Sequence, residues 1–125
     1  MKWCQAPIFA AALCLVLNAC ALVDGSELEP DVYEGIYSQG FEDSPFEPCG
    51  RSERWLLAVG DTAAIQHFRE RVFEVLRQGN NPMYARLRGT LSPRGHIPGF
   101  FITYDRTLEV TAVLEVRAIQ EGDCQ

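Results

Sequence analysis

The chain has 125 residues, seventeen acids against eleven basic residues, and a formal net charge of −6. That balance argues against nucleic acid as a partner and against general adhesion to anionic lipid, since both would repel the chain before contact. A hydrophobic fraction of 47% is that of a globular chain with a core, and there is room for one such domain.

The chain opens on an apolar run. Met1-Lys2 carries one positive charge, and no charge follows from Pro7 to Leu17. A membrane-spanning helix needs roughly 20 apolar residues, whereas this run reaches Val23 only through Asn18 and small residues. The pattern is that of an export signal over residues 1–19. Leu17-Asn18-Ala19-Cys20 resembles the lipobox of bacterial lipoproteins, with Leu three places before the cysteine and a small residue directly before it. The resemblance implies acylation of Cys20, which becomes the new N-terminus. The residue after the cysteine is Ala21 rather than the Asp that marks inner-membrane retention in that family, so it implies an outer-membrane address facing the periplasm. The competing reading is an ordinary small-x-small site, Ala19-Cys20-Ala21, cut after Ala21 to free a secreted chain.

Of five cysteines, Cys4 and Cys14 leave with the signal and Cys20 takes the lipid, so the body keeps Cys49 and Cys124. Two cysteines in an oxidising compartment predict one disulfide. Its loop of 75 positions is worth about 4–5 kcal/mol in the chain-entropy model. The signal also carries the single lysine, leaving ten arginines against seventeen acids, a net charge of −7. Residues 20–30 then read as an acylated N-terminus and an acidic, Gly- and Pro-containing tether, with one domain over 31–125.

Val32–Ser38 alternates apolar and polar residues, with Gly35 marking a bend of the kind barrels need. Trp55–Val59 is a short apolar strand stopped by Gly60. Asp61 or Thr62 then caps a helix whose stripe is Ala64, Ile65, Phe68, Val72, Val75 and Leu76; Gln66, Arg69, Glu70 and Glu74 form its solvated face. Gly79-Asn80-Asn81-Pro82 stops it. Met83–Leu91 puts Met83, Ala85, Leu87, Gly89 and Leu91 on one face, and a brief strand follows at Gly99–Tyr104. Arg106–Ile119 puts Leu108, Val110, Ala112, Leu114, Val116 and Ala118 on one face, which reads as one long half-buried strand or as two strands bent at Ala112. This is a mainly β chain with one helix between the second and third strands, a small five-stranded OB-like barrel or roll.

The stretch GFEDSPFEPCG followed by a Glu and a Trp, the later YARLRGTLSP-RG-H and the closing VLEVR resemble a set of small bacterial envelope lipoproteins and, more distantly, the OB-like domain of the NlpE-type envelope lipoproteins. That likeness implies an envelope address and a barrel; it implies no activity.

No catalytic constellation stands out. Ser92 shares a loop with His96, yet Pro93 makes Ser92 a turn residue, and no nucleophile elbow surrounds it. Glu42, Glu53 and His96 are the residues a metal site or a hydrolase would use, but two distant histidines and no CxxC or HxxxH spacing give zinc little to hold. The expectation is therefore no catalysis, no metal and no cofactor. The binding reading places the loops Phe41–Arg54 and Ser92–Gly99 at one barrel mouth, with Phe41, Phe46, Arg51, Arg54, Arg86, Arg88, Arg94 and His96 as candidate ligand residues and the arginines receiving an anionic group. The expected function is a membrane-anchored binding or scaffolding module that meets the membrane through Cys20 and an envelope protein or glycan through that mouth. A secreted protein inhibitor is a further alternative.

Overall fold

The computed structural model describes residues 31–58 and 62–125. The export signal, Cys20, the tether, the Asp61 cap and the end of the second predicted strand lie outside the described residues. The elements in chain order are β1 (Asp31–Tyr37), β2 (Phe46–Pro48), β3 (Trp55–Leu57), α1 (Ala63–Arg77), β4 (Met83–Leu91), β5 (Ile97–Pro98), β6 (Thr103–Tyr104) and β7 (Arg106–Ala118).

Five strands close a barrel in the order β1-β2-β3-β7-β4, with β4 returning to β1. All neighbours are antiparallel except β3 and β7, which run parallel. A Greek-key barrel of five strands with one helix between the third and fourth is the OB-like arrangement. The helix position corrects the sequence expectation, which missed β2. That strand is three residues long, with Pro45 directly before it and Pro48 as its last residue, yet Phe46 and Pro48 face inward and Glu47 outward. The predicted strand at Gly99–Tyr104 is not in the barrel either. Only Thr103–Tyr104 is extended, and it pairs with Ile97–Pro98 in a separate hairpin.

The local reasons are plain. Thr62 caps α1 by accepting the Ile65 N–H, and Ile65, Phe68, Val72 and Val75 bury the predicted stripe. Gly79, at a φ of 85°, carries the chain out of the helix. Gly35 sits where β1 is paired on both sides, and a Cβ there would lie 2.5 Å from the Glu47 carbonyl oxygen. Only a hydrogen side chain lets β1 and β2 approach so closely. Phe46, Trp55, Met83, Leu87, Leu108 and Val116 fill the barrel without exposure. The Trp55 indole N–H finds no acceptor there.

β7 departs from strict alternation. Its register against β4 shifts between Arg86 and Leu87 and again between Arg88 and Gly89. Each bulge inserts one residue and turns the following side chains to the other face. Leu114, expected in the core, is therefore 38% exposed, and Val113 packs against the core instead.

The C-terminal turn is fastened back onto the barrel. Arg117 donates two hydrogen bonds to the Asp123 carboxylate at 2.8 and 2.9 Å, and its guanidinium lies 4.1 Å over the Tyr84 ring. The pairing holds the Asp123 carboxyl down to about 2. Cys124 is thereby brought to Cys49, to which it is bonded with a Cα separation of 4.8 Å.

Candidate functional site

Two connections meet at one end of the barrel. Residues 38–45 join β1 to β2, and residues 92–105 join β4 to β7 and carry the β5–β6 hairpin. Asp43 locks them together: its carboxylate accepts the N–H groups of Phe100 at 3.2 Å and Phe101 at 2.8 Å. Beside it the Ser44 N–H donates to the Tyr104 hydroxyl at 3.2 Å. Asn81 braces the first loop from the helix side, its side chain exchanging two hydrogen bonds with the Gln39 backbone. The loops are positioned by charge-assisted and backbone bonds together with the buried Tyr104 ring.

That leaves their phenylalanine side chains outside. Phe41 is fully exposed, Phe100 69% and Phe101 75%, and the last two stack edge-to-face with centroids 4.5 Å apart. Leaving a Phe side chain in water forgoes roughly 1.5–3 kcal/mol of burial.

Glu53 organises the base of the hairpin. It is the one buried charged residue among those described. Arg106 Nε donates to it at 3.0 Å, and Arg94 and Arg51 approach to 3.4 and 3.7 Å. The Arg106 hydrogen bond holds the Glu53 carboxyl below the usual glutamate range. Arg51 also covers the Trp55 ring at 5.4 Å. Next to this cluster Arg54 and Asp105 clamp β3 to β7, the Arg54 N–H donating to the Asp105 carboxylate at 2.8 Å and the Asp105 N–H to the Arg54 carbonyl at 2.7 Å.

Of the expected loops Phe41–Arg54 and Ser92–Gly99, Arg94 and Glu53 make a direct link at 3.4 Å, while the bonds from Asp43 and Ser44 reach Phe100, Phe101 and Tyr104 just beyond the second loop. Phe46 is a correction: it is wholly buried, packs 5.8 Å from Trp55 and has no surface to offer a ligand. Phe41 lies at the loop end, and Arg51 and Arg94 lie at its base, already turned toward Glu53. Arg54 and His96 are both exposed. Arg86 and Arg88 belong elsewhere, on the outer face of β4, where Arg86 stands 3.9 Å from Glu115 and opposite Glu34 of β1. Glu42, Glu53 and His96 form no joint metal-holding group among the described residues.

Sequence reasoning missed a second feature. A cavity of about 440 Å³ opens between α1 and the β1–β2 connection. Its lining combines apolar Leu56, Leu57, Ile65, Phe68 and Val72 with the polar groups of Tyr37, Gln39, Glu42, Ser44, Arg69 and Tyr104. Burial pushes the Tyr37 and Tyr104 hydroxyls above the ordinary tyrosine value, so both stay protonated at neutral pH. The signal available was Phe73, an aromatic on the predicted solvated side of the helix, which proves 61% exposed at the edge of this cavity.

The chain matches no family model, no curated protein and no solved structure. No helix among the described residues is long and apolar enough to cross a membrane.

Proposed function

We propose that the chain is an exported lipoprotein, anchored through acyl chains on Cys20, that it is a binding module rather than a catalyst, and that its barrel docks an envelope protein or glycan through the loop end. One observation carries the binding half: Asp43 pins the loop that carries Phe41 to the turn that carries Phe100 and Phe101, and all three rings lie in solvent. A fold that spends two charge-assisted hydrogen bonds on presenting apolar rings has a surface ready to bury on a partner. OB-like barrels use these same two connections for ligands. Support for the anchor comes from the sequence, where Leu17-Asn18-Ala19-Cys20 precedes an acidic tether.

The test is made on the full chain produced in an exporting bacterium and extracted from its membranes. Intact mass should begin at Cys20 and include acyl chains, while a Cys20→Ala variant should lose them. In native extracts the wild-type chain should migrate as part of a larger complex, and Phe41→Ser/Phe101→Ser should migrate alone. An unlipidated chain that begins at Leu22 defeats the anchor. Identical migration of the wild type and the tip variant defeats the docking surface.

A further inference from the structure

We infer that the cavity between α1 and the barrel is a binding site for a small amphiphilic carboxylate, with the apolar body along the helix and the carboxylate on Arg69. The inference rests on the reading of the domain as a binding module and adds a ligand class to it; it needs neither the anchor nor the aromatic tip.

A volume of about 440 Å³ falls in the range of small-molecule sites, which pair an apolar lining with a few polar groups that fix orientation. This cavity has that division. Val72, Phe68 and the β3 residues Leu56 and Leu57 supply apolar walls, and Arg69, Glu42, Gln39 and Ser44 supply polar groups beside them. Arg69 and Phe73 are one helical turn apart, so they stand side by side, and both line the opening. Phe73 extends the apolar wall outward, where a solvated helix face would carry a polar residue.

Charge selects the ligand and its direction. Arg51, Arg71, Arg86, Arg94, Arg106 and Arg117 each have a carboxylate within 4 Å. Arg69 makes no ion pair among the described residues, and its charge is felt at the Tyr37 hydroxyl. Glu42 also lines the cavity but makes no ion pair with Arg69. A carboxylate is drawn to Arg69 and repelled by Glu42, so the charged end of the ligand goes to the guanidinium. The chain's overall negative charge is screened beyond about 8 Å at physiological ionic strength, so the near guanidinium decides.

The test uses the chain from Cys20 to Gln125 carrying Cys20→Ser, with its disulfide formed and free of detergent; this form keeps every described residue. Decanoate and 1-decanol are titrated below the concentration at which either aggregates, followed by calorimetry and by amide shifts. Decanoate should bind saturably, one per chain, with shifts on α1 between Ile65 and Leu76 and on β3. Decanol should bind about tenfold more weakly, the factor set by one charge-assisted hydrogen bond. Arg69→Gln should bring decanoate to the decanol level and leave decanol unchanged. Ala58→Phe, which fills the cavity, should remove both, and if that variant fails to fold the exposed Arg69 variant still decides. Absence of saturable binding, equal affinity for the two probes, or shifts confined to Phe41, Phe100 and Phe101 would each overturn the assignment. Arg69-dependent decanoate binding by a chain that forms no envelope complex supports the cavity and defeats the docking surface; a complex without decanoate binding overturns the cavity alone.

Discussion

Replacing Glu53 by Gln removes one negative charge from beneath three guanidiniums, and the cost follows from how wet each partner is. Arg51 and Arg94 are 46% and 71% exposed and can rehydrate, so each contributes at most about 1 kcal/mol. Arg106 is only 22% exposed and Glu53 8%. Removing one partner of a buried pair costs about 3–5 kcal/mol, and the residual access of Arg106 to water brings the expectation to about 2–3 kcal/mol. For a domain of this size each kcal/mol shifts Tm by roughly 4–8 °C, so Glu53→Gln should melt roughly 10–20 °C lower. The pH dependence has a definite sign. Because folding lowers the Glu53 pKa, its contribution is present above the unfolded value of about 4.3 and is lost as pH falls through the lower folded value. Thermal melts of wild type, Glu53→Gln and the exposed control Glu47→Gln from neutral pH downward measure this. Wild type should approach the Glu53 variant at the acid end. A Glu53 variant within about 0.5 kcal/mol of wild type at neutral pH, or a gap between the two that does not narrow with acid, would refute the reasoning.

Three other outcomes follow from the structure. Cys49→Ser/Cys124→Ser opens a loop of 75 positions and should cost about 4 kcal/mol by denaturant titration, with the same loss on reduction of the wild type. Val113→Asp should destabilise by about 2 kcal/mol or more because it buries a charge, whereas Leu114→Asp, placed outward by the bulges, should stay within about 0.5 kcal/mol. Asp43→Ala should speed amide exchange at Phe100 and Phe101 about fivefold, the equivalent of about 1 kcal/mol of lost local protection, without moving the global melting temperature by more than a few degrees.

Much of the barrel could be read from the residues. β1, β4 and β7 are long enough for a period of two to stand out, and the α1 stripe and its Thr62 cap are local patterns. What escaped was non-local. β2 has three residues, the last of them Pro48 and Pro45 directly before it, too few to show a period, and it is a strand because β1 and β3 pair with it. Gly99–Tyr104 has strand-forming residues, but Asp43 captures the Phe100 and Phe101 N–H groups and holds them in a turn. The bulges in β7 leave no mark in its sequence, so Leu114 and Val113 exchanged places. At the candidate site, the meeting of the two loops was legible from their aromatic and proline content. Phe46 was misread because a Phe in a short run looks the same whether it points into a barrel or out of a loop. Arg69 was passed over because a charged helix face is ordinarily solvated, and only the fold lays that part of the helix over a cavity.

The central claim is that the loop end is a docking surface. It is tested most directly by placing a photo-cross-linking residue at Phe101 in the full chain in intact cells, with the same residue at Arg88 on the outer face of β4 as the control. One adduct of discrete mass from position 101, absent from position 88 and lost with Asp43→Ala, is the predicted result. No adduct at position 101, or the same adducts from both positions, would contradict the account.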